Sequence, residues 1–307
     1  MSVVTARILT SQQALAASAA HAERADALTA EYREARAAGR AHAIDDFLFT
    51  YYSYRPSVLR KWHPGIGVAY ESDVTELPRW YHRESSGAIT VDAAAFLAER
   101  GHIAQQIAEL SRAVLGRAPR FACFGLHEWA MVYREEEHRH PIPLRLGQAA
   151  TDAVVESHEI SCTHFDAFRF FTPDARPRNL LQPSRERQCS MEQAGCLHAN
   201  MDLYKWAVKL GPLVPGDLLL DTFELAREIR WTDMQASPYD VSNYGVPAIA
   251  IETPEGKAEY VRRQRDFAAR AQALRERLVD VIERLSERVD TCFECLSTRV
   301  TRRAAHG

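Results

Sequence analysis

The clearest pattern in the chain lies toward its C-terminal end, where Phe267, Ala271, Leu274, Leu278, Val281 and Leu285 recur at alternating spacings of four and three. That period draws one apolar stripe along a helix, which must pack on another helix, within the chain or in a homodimer. Thr253 at the N-cap and Pro254 at the first helical position open it, so a helix is expected over 253–288.

Two shorter helices are expected upstream. Over 195–210, steps of about 100° per residue put Leu197, Met201, Tyr204 and Val208 on one stripe and His198, Asp202, Lys205 and Lys209 on another. From Asp217 to Asp233 the apolar face comprises Leu219, Phe223, Ala226 and Ile229, with Arg230 and Asp233 within or beside it. A carboxylate turned toward a core needs a partner: Arg230 one turn back, or a cavity in which Asp233 acts as a base. The Ala, Glu and Arg richness of 11–40 predicts a long helix, and a further one is expected over 91–115. The segment 160–171 alternates and is rich in aromatics, which reads as a strand with His164 and Asp166 on one face.

The fold class that follows is mainly α: a helical domain with long N- and C-terminal helices and a few short strands. One globular domain is expected over 1–290, in three parts: helical to 120, site-bearing over 121–250, then the long helix, with 291–307 a flexible tail. At 307 residues and 46% hydrophobic, the chain can bury a sizeable core without staples.

Charge changes the picture little. The balance of 38 basic against 41 acidic side chains gives a formal charge of -3, so DNA binding would rest on a local patch. The best such patch is Tyr51, Tyr52, Tyr54, Arg55, Arg60, Lys61, Trp62 and His63, which interleaves rings with cations but reads equally as core and loop aromatics. No apolar run reaches the roughly 20 residues of a membrane span. The first twenty residues also lack the basic-then-apolar order of a secretory signal, so the expected compartment is the cytoplasm. Six cysteines spread over such a length make no disulfide framework, and Cys292 with Cys295 reads as two incidental thiols.

The candidate chemistry gathers in the middle of the chain. His198 and Asp202 stand at i and i+4, close enough to share a metal or a proton, with Lys205 available to hold an anion. With His164 and Asp166 they form a nitrogen and oxygen set suited to a divalent metal such as Fe, Zn or Mn, in an enzyme acting on a small polar substrate. The bland alternatives are a hydrogen-bonded structural pair and a solvated helix face. Asp217, Asp221, Glu224 and Glu228 form an acidic stripe read as solvated. The HEW at 127–129 lacks the second histidine of H-E-x-x-H, since position 131 is Met. Neither a dinucleotide motif, nor a P-loop, nor a nucleophile elbow is present.

At HEWAMVYR, THFDAFRFFTP, GCLHANMDLYKWAVKL and DMQASPYD, the chain resembles a bacterial family that carries the label 3-methyladenine DNA glycosylase, over about 45–278. The resemblance implies hydrolysis of the N-glycosidic bond of an alkylated base, which requires a carboxylate and an aromatic pocket for the flipped base. Asp166 and Asp233 are then the expected catalytic residues. Arg169, Lys205, Trp206 and Tyr239 are the expected substrate-binding ones, and His164, His198 and Asp202 remain the metal ligands of the alternative.

Overall fold

The structure is a computed structural model that describes residues 7–138 and 140–304, with side chains through Glu287. It is mainly helical, as expected, with a small sheet at the N-terminal end. Strand β1 (Arg7–Leu9) leads into α1 (Ser11–Leu28) and α2 (Ala30–Ala37). The short helices α3 (Asp46–Thr50) and α4 (Pro56–Arg60) follow, and then β2 (Val68–Tyr70), β3 (Tyr81–Arg83) and β4 (Ile89–Val91). The sheet order is β1-β2-β4-β3, with β1 parallel to β2 and the other pairs antiparallel.

Helix α1 starts on a capping box: the Thr10 side chain accepts from the Gln13 backbone, and the Gln13 side chain accepts from the Thr10 backbone. The single long helix expected over 11–40 is divided at Thr29. Its hydroxyl donates to the Ala25 carbonyl at 2.8 Å, a local bond that competes with helix continuation.

Helix α5 (Ala93–Leu115) is capped by Asp92, whose carboxylate accepts from the Ala95 N–H at 2.9 Å. The central region then runs through α6 (Leu126–Ala130), α7 (Gln148–Glu156), α8 (Phe165–Phe168) and α9 (Gln188–Met191) to α10 (Leu197–Leu210) and α11 (Gly216–Ala236). The strand expected over 160–171 is not formed. Only Ile160 makes a bridge, to Asn179, and α8 begins right after His164. The alternation misleads because Asp166, Ala167 and Phe168 are buried in succession, so burial does not follow the period of two that the pattern suggests.

The last helix, α12 (Pro254–Ala304), starts where Thr253 and Pro254 predict and continues through most of the segment expected as a tail. Residues 305–307 lie outside the described ones, and so do the side chains of Cys292 and Cys295. Its stripe from Phe267 to Leu285 is buried against α5, α10 and α11 of the same chain, so intrachain packing accounts for the heptad spacing. Helices α10 and α11 make the most extensive helix contact, and His198 and Asp202 of the one and Arg230 and Asp233 of the other are buried. Among the described residues, no helix is long and apolar enough to cross a membrane.

Candidate functional site

Four helices surround a buried polar centre. Helix α6 brings His127 and Glu128, α10 brings His198 and Asp202, α11 brings Arg230 and Asp233, and α12 brings Tyr260 and Gln264. The entry to α6 is tightly bent: Phe124 and Gly125 both have left-handed backbones, at φ of 48° and 75°. A Cβ on Gly125 would meet Tyr260 at 3.3 Å and Ala236 at 3.4 Å, so the turn seats α6 directly on α11 and α12.

His127, His198 and Asp233 each offer one donor atom, and these atoms lie within 4.8 Å of one another, all buried. His127 Nε2 is 3.1 Å from Asp233 Oδ1. Neither atom completes a well-aligned hydrogen bond in spite of this distance. The ring of His198 stands edge-on to that of His127, with centroids 4.5 Å apart.

The electrostatics match this geometry. Burial by itself would lower the His127 imidazole, and the Asp233 carboxylate beside it overrides that and raises it. Burial holds His198 well below the ordinary range, and the neighbouring His127 pushes it the same way, so His198 is a neutral nitrogen donor. Arg230, wholly buried, donates to Glu128 Oε1 at 2.8 Å and to Asp233 Oδ2 at 3.3 Å. Burial would raise Glu128, but the guanidinium holds it down to about 2. One guanidinium thus faces two buried carboxylates, and the His127 imidazole, raised by Asp233, is the second cation that balances them.

His127 and His198 form part of the wall of a cavity of about 210 Å³, shared with Cys123, Cys162, Cys196, Leu197, Tyr260 and Gln264. The Cys123 thiol lies 3.6 Å from His127 Nδ1, on the ring edge opposite Asp233.

A second polar group adjoins the first through the rings of His198 and His164, 5.4 Å between centroids. His164 Nε2 lies 3.3 Å from Glu192 Oε1 and 3.5 Å from Asp202 Oδ2. Burial would lower this imidazole, and the two carboxylates raise it. Asp202 has cationic and hydroxyl partners of its own: Lys205 Nζ at 2.5 Å and the Tyr52 hydroxyl at 3.0 Å. Asp166 is tied to Arg185 at 2.7 Å, with Lys205 and Arg169 each at 3.6 Å.

The residues singled out in the sequence therefore divide. His198 and Asp233 meet at the centre. His164 and Asp202 sit in the adjoining group, and Asp166, Arg169 and Lys205 form an ion-pair network outside the cavity wall. Trp206 lies between Lys205 and Lys209, 4.3 and 5.2 Å from its ring. Tyr239 is buried in a satellite cluster with Ile44, Val132, Met234 and Val241. The polar stripe of α10 is no solvated face, since His198 and Asp202 are both buried.

The acidic stripe of α11 forms surface ion pairs with Arg24, Arg270 and Arg277, the solvated reading. The aromatics at 51–54 pack inward: Tyr52 and Tyr54 both stack edge-on against Tyr204. His127 escaped sequence reasoning because its partner nitrogen was sought one turn away, at 131, and is supplied instead by His198 from another helix.

Among known proteins, no family model, no curated protein and no solved structure matches the chain.

Proposed function

We propose that the chain is a metal-dependent enzyme acting on a small molecule, with one divalent ion held by His127, His198 and Asp233. The observation that carries this reading is the pair His127 Nε2 and Asp233 Oδ1, buried 3.1 Å apart without a hydrogen bond. Two donors each about 2.1 Å from a metal and at right angles around it stand about 3.0 Å apart, so a shared ion accounts for both the distance and the missing bond. A bound ion would take the place of the His127 proton as the second cation beside Glu128 and Asp233.

Two nitrogens and a carboxylate are the donor set of catalytic zinc and of non-haem iron, and three protein ligands leave coordination positions open. When bound, the metal would polarise a substrate group or activate a water at such a position. The other grouping of close donor atoms, Glu31, His42 and Asp45, fits this role poorly: Asp45 accepts from Trp231 Nε1 at 2.8 Å, and Arg227 bonds both carboxylates.

The glycosylase expectation draws less support. Asp166 is engaged by three cations, and Asp233 is fully buried between His127 and Arg230, whereas a carboxylate assisting departure of a base must reach the sugar.

Elemental analysis of the purified chain and of its His127→Ala, His198→Ala, Asp233→Ala and His164→Ala variants tests the proposal. About one equivalent of Fe, Zn or Mn in the wild type, lost in the first three variants and retained in the fourth, is expected. Metal-free wild-type protein that also takes up none on reconstitution would refute it.

A further inference from the structure

Two side chains in the cavity wall are equipped for a ligand that the metal does not provide. Tyr260 and Gln264 stand one turn apart on α12, each 1% exposed, and both line the cavity beside His127 and His198. The Tyr260 hydroxyl and Gln264 Oε1 have no hydrogen-bond partner among the described residues. A buried acceptor left in this state is costly, and both residues line a cavity with room for the partner they lack.

The orientation of the Gln264 amide is fixed from the other side. Its Nε2 donates to the Gly195 carbonyl at 2.5 Å, and the reversed amide would set oxygen against oxygen. Oε1 is therefore the free end, and it can only accept. The Tyr260 hydroxyl can donate or accept.

We infer that Tyr260 and Gln264 select the substrate of the proposed metal site, admitting a small molecule that presents an N–H or O–H donor to Gln264 Oε1 while its remainder contacts Leu197, Cys162 and Cys196. This assignment rests on the metal-enzyme reading for its catalytic meaning, but the recognition stands on the cavity alone. The volume of about 210 Å³ exceeds the roughly 150 Å³ that accommodates a benzene ring, so a monocyclic compound is in the right size class. Hydrocarbons of the same size are excluded, because they leave both polar atoms unpaired.

Phenol and toluene, nearly equal in shape, make the test. Their binding is measured by calorimetry on the full chain, both as metal-free and as Zn²⁺-loaded protein, for the wild type, Gln264→Leu and Tyr260→Phe. The expected result is phenol at least tenfold tighter than toluene in the wild type. Gln264→Leu reduces that ratio to near one, and Tyr260→Phe reduces it in part. Circular dichroism and metal content of both variants match the wild type. Tyr260→Phe removes only the hydroxyl, so it keeps the inference testable if Gln264→Leu fails to fold.

Equal binding of phenol and toluene would overturn the inference, because water alone then satisfies the two atoms. Binding of neither compound would overturn it as well, and so would a phenol preference that survives both substitutions. Loss of metal binding with the phenol preference intact would instead sink the metal-enzyme reading and leave the recognition standing.

Discussion

His127 Nε2 and Asp233 Oδ1 lie 3.1 Å apart in the interior, and neither completes a well-aligned hydrogen bond to the other. The two residues come from different helices 106 positions apart in the chain, and α6 and α11 are held together around them by Arg230, which donates to Glu128 on one and to Asp233 on the other. The same guanidinium lies over the Phe47 ring at 4.3 Å, which closes that side of the group with an aromatic face. A rigid support of this kind fixes donor atoms before any ligand arrives.

Added metal should stabilise the folded chain. With free Zn²⁺ or Mn²⁺ at a hundredfold over its dissociation constant, linkage gives about 2.7 kcal/mol, a rise of several degrees in Tm. Thermal unfolding of the chelator-treated protein, with and without metal, measures it. His198→Ala should abolish the rise, and His164→Ala should leave it in place.

Removing the guanidinium should be far more damaging than removing surface cations. Arg230→Met leaves Glu128 and Asp233 buried and unpaired, which costs about 3–5 kcal/mol in urea unfolding. Arg270→Met, which breaks the half-exposed pair with Glu228, should cost under about 1 kcal/mol. The double variant Glu128→Gln with Arg230→Met should recover part of the loss.

Gly195 is expected to tolerate no side chain. A Cβ there would stand 2.2 Å from the Arg120 carbonyl oxygen, a backbone atom that cannot yield without moving the loop. Gly195→Ala should cost about 1–3 kcal/mol and, by shifting the carbonyl that holds the Gln264 amide, weaken phenol binding in parallel. Equilibrium unfolding and calorimetry on the one variant check both effects.

Stability should also fall in mild acid through His63. Burial, with Lys61 nearby adding to it, brings this imidazole down to about 4 from 6.5. The unfolded chain takes up the proton first, so the loss begins near pH 6.5, grows as the pH falls and is complete below about 4. It amounts to at most about 3 kcal/mol. His63→Gln should flatten that part of the profile of unfolding free energy against pH, while leaving stability near pH 8 within about 1 kcal/mol.

How far the sequence reaches is set by how one-sided each element is. Helices α10, α11 and α12 each keep an unbroken apolar stripe, so their starts were legible to within a few residues, though α12 runs well past the expected end, and the inward position of Asp233 followed from the same stripe. The segment 160–171 was misread because buried side chains fall on both parities of the alternation, which blurs the difference between a period of two and one of 3.6. His198 was legible as a candidate because its helix carries a second, polar stripe.

His127 carried no such signal. Its helix is five residues long, and the groups that give it meaning, His198 and Asp233, are supplied by the packing of α6 against α10 and α11. His164 and Asp202 were legible as a polar pair, but only the fold shows Lys205 and Tyr52 completing the partners of Asp202.

The most direct test of the central claim is titration of the metal-free chain with Co²⁺, followed by its visible d–d absorption. The account predicts saturation at one ion per chain, a spectrum typical of mixed nitrogen and oxygen ligation, and an affinity at least tenfold lower in Asp233→Asn. A chain that develops no such absorption, or one whose titration is unchanged in Asp233→Asn and His127→Ala, would contradict it.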